Sequence, residues 1–254
     1  QEFIGENGFK GIRTSTRPDA VDGEICDILE KYHVTAVELG AQSTNDKVLA
    51  MNRRGHTRED IFRSAWLLKE RGFELGLQMM TGLYGSNDED SIGTARDIIS
   101  LSPDTARIYP TVVIENTELA ELYRNGEYRP QTPEEAAVLC AKILPMFERA
   151  GIKVIRLGLH SGGDVEGSFV AGAYHPALRE MCEGHIYFDI INRALSGKEK
   201  GKYIIYVAPR EVSKASGQRR CNIEKLRELG YECKIKESAA LSARDITLEK
   251  VNLL

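Results

Sequence analysis

The side chains best suited to chemistry in this chain lie in short, polar, glycine-bearing segments that follow hydrophobic runs. These segments read STRPD, GAQS, MMTGLYG, YPT and GLHSGG. Tyr109 and Arg156 lie in or beside such segments and can bind a substrate, and His160 can act as an acid or base near neutral pH. The structural alternatives are a tyrosine packed over the core and a histidine in an ordinary loop contact.

The five cysteines have no metal-ligand spacing. They stand at positions 26, 140, 182, 221 and 233, so no two are closer than twelve residues and neither CxxC nor CxxxCxxC occurs. Scattered cysteines of this kind are usually buried thiols. The sequence therefore predicts neither a metal site nor a disulfide framework.

Alternating strands and amphipathic helices must position the polar segments. The pattern predicts strands at residues 11–15, 34–39, 73–80, 105–109 and 152–158, and helices at 22–32, 45–51, 58–71, 88–101, 117–124, 133–150 and 176–195. This alternation is typical of βαβ units and a parallel sheet. Because no Gly-rich phosphate fingerprint follows the first strand, a barrel or partial barrel fits better than a doubly wound sheet. A barrel gathers its functional groups at the carboxyl ends of its strands.

The pattern changes after the polar stretch 196–202 (SGKEKGK). A strand at 203–207, a helix at 210–215, a basic turn at 216–220, a helix at 221–229 and a strand at 231–236 make a βααβ unit. Residues 198–236 carry eleven Lys or Arg against five Glu, a local charge of +6 in a chain of net charge −4. We therefore expect two domains, residues 1–197 and a small basic module at 198–254.

The sequence has no membrane-spanning or secretory signature. No apolar run reaches the length of a membrane span, and the first residues have no signal-peptide core. We expect a cytoplasmic protein with no membrane partner.

Six blocks of sequence resemble the radical S-adenosylmethionine (SAM) enzymes, closest to the Elongator-catalytic-subunit-like group and more distantly to the oxygen-independent coproporphyrinogen oxidases. The blocks are GIRTSTRPD (11–19), VELGAQS (37–43), NRRGHT (52–57), GLQMMTGLYG (76–85), RIYPTVVIENTELAELYRNGEY (107–128) and VIRLGLH (154–160). The resemblance implies an α/β fold, a partial parallel (β/α) barrel of the radical SAM type missing its first two strands. Residues 11–15 would then be an exposed edge open to self-association.

The resemblance also implies an enzyme with two cofactors. In this family a CxxxCxxC loop holds a [4Fe–4S] cluster, and SAM bound to it is cleaved reductively to a 5′-deoxyadenosyl radical. The Elongator relatives imply a role in tRNA modification, with tRNA as a partner. The cysteine loop does not occur in this chain. We therefore expect a fragment whose first two strands precede Gln1, inactive and without the cluster as it stands.

Four residues match positions that face SAM in these relatives. Gln42 and Gln78 correspond to contacts near the ribose, Arg54 to an arginine that reaches the carboxylate, and Ser15 to a polar contact with the methionine moiety. Gln78 stands where coproporphyrinogen oxidases have Asp, which leaves the type of its contact open. Ordinary polar residues of a barrel mouth are the alternative for all four. Glu38, within the strand of VELGAQS, is interpreted as a structural partner of Arg107 or Arg156.

The basic βααβ unit resembles an RNA-binding KH module, in which a GxxG loop between two helices clamps backbone phosphates. The corresponding loop reads GQRR (217–220), with Arg in place of the second Gly. The candidate phosphate-contacting residues are Lys214, Gly217, Arg219, Arg220 and Lys225. A small α/β cap with solvated lysines is the alternative.

Three other functions remain open from the sequence. One is a noncatalytic nucleic-acid-binding protein on a degenerate barrel, and another is a porphyrin-type radical SAM oxidase. The third is a phosphate-binding barrel enzyme, for which LHSGGD (159–164) is the candidate grip. A CxxxCxxC motif upstream of Gln1 would favour a radical SAM enzyme over a noncatalytic binder.

Overall fold

The computed structural model describes residues 8–159 and 167–251. The chain divides into two compact units, Gln1–Pro176 and Ala177–Leu254, which we call unit 1 and unit 2. His160 and most of the segment LHSGGD lie outside the described residues.

Unit 1 alternates strands and helices along the chain. Its described strands are β1 (Ile12–Thr16), β2 (Val34–Gln42), β3 (Glu74–Thr81), β4 (Thr105–Pro110), β5 (Val112–Ile114), β6 (Lys153–Leu157) and β7 (Phe169–Gly172). Its described α-helices are α1 (Gly23–Lys31), α2 (Asp46–Met51), α3 (Arg58–Glu70), α4 (Asp88–Ser100), α5 (Glu118–Arg124) and α6 (Pro133–Arg149).

Five of these strands form one parallel sheet in the order β1-β2-β3-β4-β6. The predicted parallel α/β architecture is confirmed, and β1 lies at the edge of the sheet as expected. The strands β5 and β7 pair antiparallel in a separate ribbon that the sequence pattern does not predict. Strands of three and four residues are too short to show a two-residue alternation.

Side-chain caps determine where the helices begin. Three capping boxes, in which the cap side chain and the third helical residue satisfy each other's backbone N–H, start α3, α4 and α6 with the pairs Thr57/Asp60, Asn87/Asp90 and Thr132/Glu135. Each box satisfies N–H groups that would otherwise lack partners at the helix start. The loops that lead from strand ends into these helices therefore end at defined points.

The two faces of the parallel sheet differ in polarity. Leu39, Leu75, Leu77 and Met79 are fully buried on one face, together with Ile108 from β4. Because side chains alternate along a strand, the residues between them point to the opposite face. That face carries polar side chains from every strand of the sheet, so the interior is not filled by apolar layers alone.

Glu38 is the centre of this polar face. It is 1% exposed, and its Oε1 lies 2.5 Å from Nε of Arg107. Ser15 Oγ is 3.5 Å from the other carboxylate oxygen. Of the two arginines that the sequence offers Glu38, the structure pairs it with Arg107. A buried carboxylate needs such a partner, because an isolated charge is strongly disfavoured in a low-dielectric interior.

Gly76 makes room for this ion pair. Its position on β3 lies between Glu38 on β2 and Thr105 on β4 in register. A β-carbon at Gly76 would lie 3.2 Å from Glu38 Cγ and 3.1 Å from Thr105 Oγ1. Without a side chain there, Glu38 and Arg107 can meet across β3.

Unit 2 contains α7 (Leu178–Leu195), β8 (Gly201–Val207), α8 (Val212–Ser216), α9 (Cys221–Glu228), β9 (Tyr231–Glu237) and β10 (Ile246–Lys250). The sheet order is β10-β8-β9, with β8 and β9 parallel and β10 antiparallel to β8. The predicted βααβ succession is present. The strand β10 falls in a stretch whose sequence carries no clear signal, and its pairing with β8 defines it.

The boundary between the units differs from the expected one at residues 197 and 198. The helix α7 belongs to unit 2, because Tyr187, Ile191 and Leu195 pack in one apolar cluster with Tyr203 and Leu226. A polar linker marks the change of sequence pattern, whereas burial decides which core a helix joins. Within the described parts of the chain, no helix has the length and apolar character needed to cross a membrane.

We predict that the two residues of the ion pair contribute to the free energy of unfolding as a coupled pair and not independently. Glu38→Gln should lower the free energy of unfolding by roughly 2–4 kcal/mol, somewhat below the value for fully buried pairs because Arg107 keeps some contact with water. The double variant Glu38→Gln/Arg107→Gln should regain at least half of that loss in urea unfolding. Additive losses would contradict the coupling.

The exposed edge gives a second prediction. Ile12 on β1 is 38% exposed, and Ile28 on α1 is 49% exposed. If edge pairing drives self-association, Ile12→Lys should raise the monomer fraction in sedimentation velocity, because a charge on an edge strand opposes pairing. Ile28→Lys is the control and should leave that fraction unchanged. Equal effects of both variants would argue against association through β1.

Candidate functional site

A row of polar residues crosses the sheet near the carboxyl ends of its strands. Gln78, Arg107 and Arg156 are neighbours in register on β3, β4 and β6, and Gly40 is the register partner of Gln78 on β2. Arg107 Nη1 donates to Tyr109 Oη at 3.1 Å, and this hydrogen bond, with Glu38, raises the pKa of Arg107. The structure thus brings Gln78, predicted as a SAM contact, to the same face as Tyr109 and Arg156, predicted as substrate contacts.

Arg156 has a local backbone contact. Its Nε donates to the carbonyl of Gly158 at 3.0 Å, which directs the guanidinium along the end of β6. No ion pair to a carboxylate is found for Arg156 among the described residues, in contrast to Arg107. It therefore leaves positive charge on the polar face.

Gln42 ends β2 in an irregular conformation. Its φ is 64°, and the pairing of β2 with β3 shifts register between Gly40 and Gln42. A β-carbon at Gly40 would lie 2.6 Å from Gln42 Nε2, so the missing side chain makes the space that the amide occupies. Positive φ in a non-glycine residue is uncommon and is often found at functional sites.

The loop after α2 is attached to this strand end. His56 is 4% exposed, and its Nε2 lies 3.1 Å from the carbonyl of Ala41. Asn52 Nδ2 donates to the carbonyls of Val48 and Tyr84 at 2.7 and 2.9 Å. These contacts hold the segment between Asn52 and His56, which contains Arg54, beside the end of β2.

Arg54 is a half-buried cation without a described partner. Its Nε is fully buried, and its N–H finds no hydrogen-bond acceptor within the described part of the chain. Burial lowers the pKa of Arg54, and the nearby charge of Arg17 lowers it further. Arg17 has its own carboxylate, Asp19, at 2.6 Å. An anion beside Arg54 would offset the unfavourable burial of its charge.

Arg17 is positioned by a glycine in the same loop. A β-carbon at Gly55 would lie 2.7 Å from Arg17 Nη2, and Gly55 has a φ of 75°. Glycine is therefore favoured there by its backbone conformation, and the absence of a side chain lets the guanidinium approach closely. Sequence reasoning missed Arg17, although its place in STRPD after the first strand was a usable signal.

The GQRR loop of unit 2 has an unusual backbone. Gly217 has φ 73° and ψ 160°, a region available essentially only to glycine. Arg219 and Arg220 have φ values of 52° and 65°, two consecutive left-handed residues that cost roughly 1–3 kcal/mol each. Asn222, 1% exposed, anchors the loop by donating to the carbonyls of Gly184 and Ala215.

The five predicted nucleic-acid-contacting residues are not equally available to contact a phosphate. Lys214 is partly buried and pairs with Glu211 at 2.7 Å. The Lys225 ammonium lies 5.4 Å from the centre of the Phe188 ring. Arg219 and Arg220 are exposed, and no ion pair is found for them among the described residues. Of the predicted cations, the two arginines are therefore the most available to bind an anion.

A surface cavity of about 670 Å³ in unit 1 was missed by sequence reasoning. It lies between the loop after β3 and the start of α6, and Tyr84 and Tyr128 line it with their rings edge to face at 6.1 Å. Burial raises the pKa of Tyr128 to about 12. No periodicity or spacing marks these two tyrosines as neighbours.

The described residues provide no metal centre. Among residues 8–159 and 167–251, no three His, Cys, Asp or Glu side chains are grouped as metal ligands. Cys26, Cys140 and Cys182 are buried, and burial raises the pKa of Cys140 to about 12. Such thiols are unreactive structural groups.

Two family models match the chain. The model of the radical SAM superfamily matches residues 2–98, and that of the radical SAM C-terminal domain matches residues 103–187. Together they include β1, β2, β3, β4 and β6, which carry the polar face, and the loop that contains Arg54.

Relatives with assigned names are similar over about half of this chain. The tRNA uridine(34) acetyltransferase of Methanocaldococcus jannaschii is 36% identical over 140 residues, which are 53% of this chain and 26% of that protein. Human Elongator complex protein 3 is 34% identical over 146 residues, 54% of this chain and 25% of that protein. The chain thus spans about a quarter of the length of these relatives.

A solved structure supports the same relationship. Archaeal Elp3 of Methanocaldococcus infernus, with an N-terminal deletion, superposes with a TM-score of 0.60 and 27% sequence identity. The match covers 70% of this chain and 46% of the archaeal chain. With a polar-faced parallel sheet and two family models matched in sequence order, this chain belongs to the radical SAM superfamily.

Proposed function

We propose that unit 1 is the SAM-binding part of a radical SAM enzyme that acts in tRNA modification. The observation that supports this most directly is Arg54, a half-buried arginine whose Nε has no described partner and whose neighbour is a second arginine. A cation in that setting fits an anionic ligand group better than a purely structural role. The methionine carboxylate of SAM is such a group.

The residues at the carboxyl ends of β1, β2 and β3 fit the rest of SAM. Arg54 would bind its carboxylate, and Ser15 would contact the methionine moiety. Gln42, in the space left by Gly40, and Gln78, on the polar face, supply amide groups for the ribose hydroxyls. When bound beside a reduced [4Fe–4S] cluster, SAM supplies the radical chemistry.

The cluster itself does not fit the residues of this chain. Its cysteine ligands need close spacing, and the five cysteines here are at least twelve residues apart. We expect the 254-residue chain alone to lack iron and acid-labile sulfide, to bind SAM weakly and to be inactive. Stoichiometric iron and sulfide in the purified chain would contradict this.

The substrate-facing residues proposed for unit 1 are Tyr109, Arg156 and His160. Tyr109 and Arg156 share the polar face with Gln78, and Arg156 leaves positive charge there. His160 follows β6 and lies outside the described residues. The relatives named for tRNA uridine(34) support RNA as the substrate class.

A second candidate function is a noncatalytic nucleic-acid-binding protein. It is favoured by the same lack of closely spaced cysteines in this chain. The coding sequence upstream of Gln1 separates the two functions. A CxxxCxxC motif in frame is expected for the enzyme, and an upstream sequence without cysteines would favour the binder.

Arg54→Ala tests the SAM site. In the full-length, cluster-loaded protein it should weaken SAM binding by about 1.5–3 kcal/mol, roughly 10- to 150-fold, because a hydrogen bond to a charged group is lost. Isothermal titration calorimetry measures this without turnover. Arg53→Ala is a matched control, because Arg53 is 77% exposed and pairs with Glu118.

The two arginine variants should differ clearly in affinity. Arg53→Ala should bind SAM as the unmodified protein does, and Arg54→Lys should keep part of the affinity by retaining the charge. An unchanged affinity in Arg54→Ala, with thermal stability preserved, would remove Arg54 from the SAM site.

A further inference from the structure

Unit 2 carries a groove that no sequence motif reveals. The groove has a volume of about 420 Å³ and is bordered by α9 and by β9, the edge strand of the three-stranded sheet. Its apolar lining comes from Tyr203, Ile204, Ile223 and Val251. Four cations also line it, namely Lys202, Arg227, Lys234 and Lys236.

Two of these cations have no carboxylate partner among residues 8–159 and 167–251. Lys202 pairs with Glu232 at 3.4 Å, and Arg227 pairs with Glu224. For Lys234 and Lys236, no ion pair is found among the residues that the structure describes. They are two residues apart on β9, so they project from the same side roughly 6.6 Å from each other. That spacing is close to the distance between successive phosphates of an extended strand.

The GQRR loop carries two more exposed cations, for which no ion pair is found among the described residues, and it leads directly into α9. Arg220 directly precedes α9, and Ile223, which lines the groove, is three residues later on the same helix. The loop is held by Asn222, whose amide donates to two carbonyls, and by the close approach of Gly217 to Gly184. Arg219 and Arg220 are thus presented from an anchored backbone rather than from a free tail.

We propose that this groove, together with the GQRR loop, binds single-stranded RNA. Arg219, Arg220, Lys234 and Lys236 would neutralise successive phosphates, and the apolar lining would accept the faces of unstacked bases. A duplex keeps its bases stacked inside and cannot use that lining. An extended peptide would instead pair with the backbone of β9 and would gain little from these four cations.

The partner proposed here is of the same class as the substrate of the proposed function, but binding at the groove needs neither SAM nor the cluster. RNA binding can therefore be measured on the 254-residue chain alone. Failure of RNA binding would leave the SAM site of unit 1 untouched, and failure of SAM binding would leave the groove untouched.

The experiment is a salt titration of binding to a fluorescently labelled 12-nucleotide oligouridylate, with a 12-base-pair RNA duplex as the comparison. We expect tighter binding of the single strand. Arg219→Ala/Arg220→Ala and Lys234→Ala/Lys236→Ala should each weaken it at least tenfold. Each pair should also reduce the slope of log affinity against log salt by about 1.4, since a single strand contributes about 0.7 per phosphate contact.

A matched control removes the same charge elsewhere in unit 2. Arg193→Ala/Lys198→Ala eliminates two exposed cations that do not line the groove, and it should change affinity and slope much less. Arg219→Lys/Arg220→Lys retains both charges and should therefore keep most of the slope of log affinity against log salt. Circular dichroism and thermal melting establish that each variant is folded.

Three outcomes would overturn the proposal. One is equal affinity and slope in the unmodified chain and both groove variants. Another is equal loss in the control pair, which would indicate a nonspecific charge effect. The third is duplex binding as tight as single-strand binding, which would exclude a role for the apolar lining.

Discussion

The structure of unit 1 depends on how one buried carboxylate is neutralised. Glu38 projects from β2 onto the inner face of a parallel sheet, where a charge without a partner would be strongly disfavoured. Arg107 reaches it from two strands away, over a position that Gly76 leaves open. Barrel interiors are commonly filled with layers of branched apolar side chains. Here an ion pair occupies that place and keeps the face polar.

Groups near the carboxyl ends of the strands extend this polar character. Arg107 also holds the hydroxyl of Tyr109, and Arg156 follows it on the next strand of the sheet. The irregular end of β2 turns Gln42 into the space beside Gly40, and His56 attaches the loop of Arg54 to the same strand end. Arg54 then retains a charge that no described group neutralises. Ionisable residues whose pKa values are perturbed by burial and by neighbouring charges cluster at functional sites.

The two units present positive charge in different ways. In unit 1 Arg54, for which no partner is found in the described part of the chain, is half-buried beside the end of β2, which suits a small anionic group that can be enclosed. In unit 2 the unpaired cations are exposed, along an edge strand and on a loop whose backbone is strained but anchored by Asn222. Exposed cations in a row suit a flexible polyanion, because each phosphate can be met separately.

The sequence by itself determined the alternation of strands and helices in unit 1, the parallel sheet and the edge position of β1. The alternation and the parallel sheet follow from local periodicity and helix caps, which are encoded within a few residues of each element, whereas the edge position of β1 was implied by the family resemblance. The βααβ order of unit 2 was also predictable for that reason. The short strands β5, β7 and β10 were not, since pairing with distant strands defines them.

Only the tertiary structure decided which charges are satisfied. Nothing local to Glu38 distinguishes Arg107 from Arg156 as its partner, because the choice depends on strand register and on the space over Gly76. The same holds for Lys214, which Glu211 neutralises, and for Lys234 and Lys236, which face a groove. The sequence shows where charged residues occur, but burial and neighbours across the fold decide which remain available to a ligand. For the same reason α7 joins the core of unit 2, although the polar linker that marks the change of pattern comes after it.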